Sequence, residues 1–193
     1  MTRLLAVILN LSLMAPLLPA QAVKLPQNGA DAKVDLNLAR REIQNVEGII
    51  NSVINSTFSS SPFALGQKAR GAYLPGYGVA FNFLVNIHRA VINTPFGDAR
   101  RYPELLPEEK KRRIEEIKEK LVRVLADYGD GLRQVRKDES VTIVAFIEDR
   151  NFPDEENQNK TIVLRAYKRD LDDLARKENR WRELKQRMEI IEY

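Results

Sequence analysis

The sequence predicts an α+β fold in which a mixed, mainly antiparallel sheet of about four strands packs against long amphipathic helices. Two long stretches, 31–58 and 107–128, repeat apolar residues at steps of three and four, which is typical of a helix with one buried face. Shorter segments alternate apolar and polar residues or are rich in β-branched residues, as strands are. Only one strand-to-strand connection contains a long helix, so most neighbouring strands should run antiparallel.

The N-terminal segment 1–22 has the three parts of a secretory signal peptide. Arg3 supplies a positive charge, 4–18 is an apolar run, and Ala20 and Ala22 are small residues at the −3 and −1 positions of a cleavage site. The apolar run is shorter than the roughly 20 residues that a membrane anchor needs. We therefore expect cleavage after Ala22, a periplasmic or secreted protein, and no membrane span after cleavage.

The amino-acid composition excludes several kinds of metal site and covalent linkage. The chain contains no cysteine and a single histidine. It therefore has no disulfide, no thiolate metal site, no lipid anchor through an N-terminal cysteine and no histidine-rich zinc site. We expect no cofactor and no bound metal, a linker over 23–30 and a single α+β domain over 31–193.

The formal net charge of +4 does not indicate a nucleic-acid partner. Basic and acidic residues are interleaved along the chain, and the basic run 110–113 merges into a helix of alternating charge. Such patterns are typical of a solvated, ion-paired surface.

The first long helix, 31–58, has Asp31 as its expected N-cap. Its apolar stripe consists of Leu36, Ala39, Ile43, Val46, Ile50 and Val53. This stripe could pack on the chain's own sheet, or it could pair with a second copy as a coiled coil and produce a homo-oligomer.

The sequence in the middle of the chain predicts a β-hairpin. The tetrapeptide 74–77 (LPGY) places Pro and Gly where a type II turn requires them. A short strand over 71–74 precedes the turn, and the strand over 79–88 follows it with one apolar and one mixed face.

The second half of the chain predicts a helix, two strands and closing elements. Pro107 opens the helix, whose buried stripe should include Ile114, Ile117, Leu121, Val124, Leu125 and Tyr128, and Gly129 or Gly131 should end it. A central strand over 140–148 is followed by an antiparallel strand over 161–167.

The end of the chain predicts one or two short helices and an edge strand. Apolar residues recur at helical spacing from Asp170 onward, and the segment 189–193 (EIIEY) can add a strand at the edge of the sheet.

A candidate ligand site surrounds the predicted turn. Tyr73 and Tyr77 offer ring faces, Gly78 offers accessible backbone N–H groups, and Asn82 and His88 share one face of the following strand. Such a site would suit a sugar or a peptide. The alternative is a tight turn whose tyrosines pack on neighbouring elements, with a histidine that bonds to a nearby loop.

Carboxylates are the remaining candidates for catalysis or metal binding. The segment 149–159 is acidic but lacks the EF-hand spacing, which favours a solvated hairpin tip over a calcium site. Asp127 and Asp130 could pair as carboxylates, although capping and turn roles explain them as well.

Several strings, together with the signal peptide, resemble those of uncharacterised exported bacterial proteins. They are GAYLPGYGVAF (71–81), DYGDGLRQV (127–135), ESVTIV (139–144) and TIVLRAYKRDL (161–171). The resemblance covers most of the chain after residue 22. It implies a bacterial envelope protein and assigns no catalytic or binding residues.

Three functions are compatible with the sequence. The leading hypothesis is a non-catalytic binding or interaction domain for an envelope protein or a cell-wall component, because no catalytic set is recognisable. The first alternative is an envelope hydrolase that uses carboxylates and His88. The second is a self-associating structural subunit that uses the 31–58 helix.

Overall fold

The computed structural model describes residues 34–57, 65–87, 106–149 and 158–193. The predicted signal peptide, its cleavage after Ala22, the linker and Asp31 lie outside the described residues, as do His88 and most of the acidic segment 149–159. The domain boundaries therefore stay a prediction.

A five-stranded mixed sheet confirms the predicted α+β class. The strands are β1 (Leu65–Leu74), β2 (Gly78–Asn86), β3 (Ser140–Glu148), β4 (Lys160–Tyr167) and β5 (Glu189–Glu192). They lie in the order β1-β2-β3-β4-β5, and among these described strands only β2 and β3 are parallel. The sheet has five strands rather than about four, and β1 starts earlier than the predicted 71, since its polar residues hide the strand pattern.

Within the described residues, four helices accompany the sheet. They are α1 (Leu36–Thr57), α2 (Pro107–Tyr128), α3 (Lys168–Leu174) and α4 (Arg180–Arg187). The long helix α2 connects the parallel strands β2 and β3, which is the single helical crossover that the sequence predicted. The central position of β3 and the edge position of β5 are also confirmed.

The first helix begins at Leu36, later than predicted. The Asp35 carboxylate Oδ1 accepts hydrogen bonds from the backbone N–H groups of Asn37 (2.9 Å) and Leu38 (3.1 Å), so Asp35 caps the helix. The predicted stripe is buried from Ala39 to Ile50, and Val53 at its end is partly buried against the core. Leu36 is 65% exposed because it lies in the first turn, at the rim of a groove between α1 and β1.

The second helix follows the prediction, including its end before Gly129, except for the burial of Tyr128. Its stripe is buried through Leu125, and a 3-10 turn at Gly129–Gly131 terminates it. Tyr128, expected in the core, is 45% exposed because it is the last residue before that turn.

The sheet has one helical face and one open face. Alternate residues of β2, β3 and β4 form a single buried core with the apolar faces of the helices, as the alternation of 79–88 predicted. The other alternate residues make up what we call the open face, which no described helix covers. Its residues include Ala80, Asn82, Leu84, Thr142, Val144, Phe146, Val163, Arg165, Tyr167 and Ile191.

Side chains from α1 protect the edge strand β1. The Asn51 side-chain oxygen accepts the backbone N–H of Ala69 (2.8 Å), and the Glu47 carboxylate accepts that of Gly71 (2.7 Å). At the other edge, β5 is short and carries Glu189 and Glu192. Short, charged or capped edges prevent strand addition by another chain.

We expect removal of these edge caps to destabilise the fold and to promote aggregation. Combining Glu47→Ala with Asn51→Ala leaves two part-buried backbone donors without their acceptors, at about 1 kcal/mol or more for each donor. Urea unfolding and light scattering measure the two effects. Asn55→Ala, at an exposed position of the same helix, is the control, and an equal effect of that variant would contradict the edge-capping role.

Candidate functional site

The predicted turn between β1 and β2 is confirmed. The Tyr77 backbone N–H donates to the Leu74 carbonyl (3.0 Å), and Gly76 has a φ of 79°, which a residue with a side chain rarely adopts. The turn therefore needs glycine at this position.

A buried carboxylate accepts hydrogen bonds from the turn and from the strand before it. Glu139 is 2% exposed, and its Oε1 accepts hydrogen bonds from the Tyr73 hydroxyl (3.0 Å) and the Gly76 backbone N–H (3.1 Å). Its Oε2 accepts the Arg136 backbone N–H at 2.9 Å, and the Arg136 guanidinium lies 3.5 Å from Oε1. Glu139 thus fastens the turn to the loop that enters β3. The sequence patterns do not identify this residue as functional, although an acid directly before an apolar strand is a usable signal.

Tyr73 lies on the helical face. It packs against the core, and burial together with the hydrogen bond to Glu139 raises the pKa of its hydroxyl from 10.0 to about 12. Its ring also lines a groove of about 400 Å³ between α1 and β1, which the sequence analysis did not anticipate.

Gly78 is buried at the start of the parallel pair. Its φ is 114°, and a Cβ atom at this position would lie 2.0 Å from the carbonyl oxygen of Ser140. The backbones of β2 and β3 therefore approach each other here as only glycine allows, and the Ser140 N–H donates to the Tyr77 carbonyl (2.8 Å).

Tyr77 lies on the open face. Its hydroxyl is 2.8 Å from the Thr142 hydroxyl, and Thr142 is only 3% exposed. Asn82 is exposed on the same face, next to Val144 in the register of β2 and β3. Of the predicted site residues, the structure therefore places Tyr77 and Asn82 on one face and Tyr73 on the other.

Two arginines alternate with two tyrosines beside the turn. The Arg165 guanidinium lies 5.4 Å from the Tyr77 ring centroid and 5.5 Å from that of Tyr167. The Arg169 guanidinium lies 4.8 Å from the Tyr167 centroid. These distances are those of cation–π contacts. We call Tyr77, Arg165, Tyr167 and Arg169 the arginine–tyrosine ladder.

The open face is apolar from the central strand β3 to the edge strand β5. Phe146 is 44% and Ile191 is 41% exposed. Phe146 pairs across strands with the half-buried Leu84, and Ile191 pairs with the half-buried Val163. A contiguous exposed apolar patch flanked by polar side chains is typical of an interaction surface.

Two of the candidate carboxylates, Asp127 and Asp149, are engaged in ion pairs. Asp127 lies 2.7 Å from Arg180, and Asp149 lies 3.2 Å from Lys110 with both side chains fully buried. The expectation of a solvated Lys110 was wrong, because this lysine reaches the core side of α2. Among the described residues, no group of three or more His, Cys, Asp or Glu side chains could hold a metal ion.

Comparison of the chain with protein-family models, with curated proteins and with solved structures finds no match. The resemblance to exported bacterial proteins therefore stays a prediction. None of the helices in the described ranges combines the length and the apolar character that a membrane crossing requires.

We expect Tyr73→Phe to lower the free energy of unfolding by about 1–2 kcal/mol at neutral pH, because Glu139 loses a donor. The raised pKa of Tyr73 means that the folded state retains this proton between about pH 10 and pH 12, where the unfolded chain loses it. Stability should therefore fall with rising pH across that window, and less steeply in the variant. Urea unfolding at several pH values measures this, with the exposed Tyr128→Phe as control. Equal slopes in all three proteins would contradict the assignment.

We expect Lys110→Met to destabilise the fold by about 3–5 kcal/mol, because it breaks a fully buried ion pair by removing one of its two charges. The matched control is Lys120→Met, which removes the half-exposed pair with Glu116 (3.1 Å) and should cost less than about 1 kcal/mol. Denaturant unfolding compares the two variants. Similar losses would show that the Lys110–Asp149 pair has no special structural role.

Proposed function

We propose that the chain is an exported, non-catalytic binding domain and that a partner protein docks on the open face of its sheet. The observation that carries the proposal is the exposure of apolar side chains on that face, Phe146 on the central strand β3 and Ile191 on the edge strand β5. Export rests on the sequence of 1–22, and the expected mature chain starts at Val23.

The size of the open face suits a protein partner. Five strands about 4.8 Å apart, with about 3.3 Å per residue, span roughly 20 by 30 Å, or about 600 Å². A standard protein–protein interface buries about 800 Å² on each partner. The open face, with its flanking loops, therefore matches one half of such an interface.

The protection of the sheet edges supports docking by side chains rather than by strand addition. Glu47 and Asn51 occupy outward N–H groups of β1, and β5 is short and acidic. A partner therefore contacts the face of the sheet, where the side chains of five strands point outward.

The features of the described residues favour this function over its two alternatives. A hydrolase needs a carboxylate that is free to transfer protons, whereas Asp127 and Asp149 are bound to Arg180 and Lys110. Self-association through the first helix needs its apolar stripe, and that stripe packs on the chain's own sheet.

We expect site-specific photo-crosslinking in the producing cell to trap a partner at the open face. A photoreactive amino acid at Phe146 or Asn82 should yield a discrete adduct with another protein. The same group at Gln186, an exposed position of α4, should not. Gel mobility and mass spectrometry identify the adduct.

Several results would overturn the proposal. Equal adducts at Gln186 would mean that the open face is not specific, and an adduct of two copies would indicate self-association. Turnover of cell-wall fragments or generic esters by the purified protein, abolished by His88→Ala, would establish the hydrolase instead.

A further inference from the structure

We propose that the arginine–tyrosine ladder binds carboxylates, so that the segment of the partner seated on the open face is acidic as well as apolar. This inference rests on the proposed function for the identity of the partner as a protein. The binding of carboxylates at the ladder can be tested separately.

The ladder holds the guanidinium group of Arg165 in place. Arg165 lies between two tyrosine rings, and its Nε donates to the Ser140 hydroxyl (3.1 Å). Ser140 itself is buried at the start of β3. A guanidinium that is stacked and hydrogen-bonded in advance loses less side-chain entropy when it binds an oxyanion.

The positively charged side chains at this end of the open face favour the binding of an anion. The exposed Lys137 adjoins the ladder, because its carbonyl accepts the Arg169 backbone N–H (3.2 Å). The acids that contact the two arginines lie at long distances: Glu189 is 3.7 Å from Arg165, and Asp170 is 4.0 Å from Arg169. Carboxylates of a partner can replace such long, partly exposed contacts with shorter, charge-assisted hydrogen bonds.

The position of the ladder favours an acidic protein over an anionic polymer. Arg165 pairs with Thr142 across the strands, and Val144 and Val163 pair one step further along the same face. The Arg165 guanidinium therefore lies next to the apolar side chains of the open face. A peptide segment with alternating apolar and acidic side chains can contact both, whereas a phosphate polymer meets only the ladder.

The test uses three probes on the isotope-labelled purified protein, followed by NMR. They are a synthetic peptide of alternating leucine and glutamate, an oligoglutamate peptide and tripolyphosphate. The alternating peptide should shift the amide signals of the ladder together with that of Phe146, and its affinity should fall as salt rises.

Variants identify the groups responsible. Combining Arg165→Gln with Arg169→Gln should lower the affinity for both peptides by about tenfold or more, as expected for the loss of charge-assisted hydrogen bonds. The matched control is Arg182→Gln, which removes a guanidinium stacked on Trp181 at 5.2 Å in the helical layer. It should leave both affinities unchanged. Arg165→Lys keeps the charge but removes the planar fork, and it should bind at intermediate strength.

Three outcomes would overturn the inference. The first is the absence of any shift at the ladder with the two peptides. The second is an equal loss of affinity in the Arg182 variant, which would indicate net charge alone. The third is tighter binding of tripolyphosphate than of the alternating peptide, which would identify an anionic polymer as the ligand. A cross-linked partner at Phe146 combined with any of these results would leave the proposed function intact and reject the carboxylate site alone.

Discussion

The buried carboxylate of Glu139 is the interaction on which the arrangement of the strands depends. It accepts hydrogen bonds from Tyr73, from the backbone of Gly76 and from the backbone of Arg136, and so joins the β1–β2 turn to the start of β3. The parallel pair begins at this point, where Gly78 lies against Ser140. A buried carboxylate with several donors is stable in place, and the loss of one donor lowers the stability of the whole network. The register of β2 and β3, and hence the division of their residues between the two faces, is fixed here.

That division explains why, among the described elements, one face of the sheet packs against the helices and the other face stays open. The helical face is closed by a single core, and α1 caps the outward donors of β1. The open face keeps Phe146 and Ile191 partly in water, although their burial would contribute about 25 cal/mol for each Å² removed from solvent. The edges of this sheet are protected while its apolar face is exposed. The free energy of burying that face is therefore gained only when another surface covers it.

The sequence predicted those parts of the fold that are determined locally. Helical periodicity located α2, and strict alternation assigned the two faces of β2, since both patterns depend on neighbours along the chain. The burial of Lys110 and the role of Glu139 depend on contacts between segments far apart in sequence, which periodicity does not record.

The candidate site also depends on contacts between distant segments, which the sequence patterns do not record. Tyr73 and Tyr77 are close in sequence, yet they lie on opposite faces of the sheet. The side chains that contact Tyr77 are Thr142 of β3 and Arg165 of β4. Those neighbours indicate how a partner would dock. Because two tyrosine rings and the Ser140 hydroxyl hold Arg165, its guanidinium has little freedom to move toward an anion. The partner must therefore present its carboxylates at the spacing that the ladder sets, and it must do so over an apolar patch of fixed shape. Docking onto such a surface needs little backbone change in this chain, so selectivity arises from the match between rigid surfaces rather than from folding on contact.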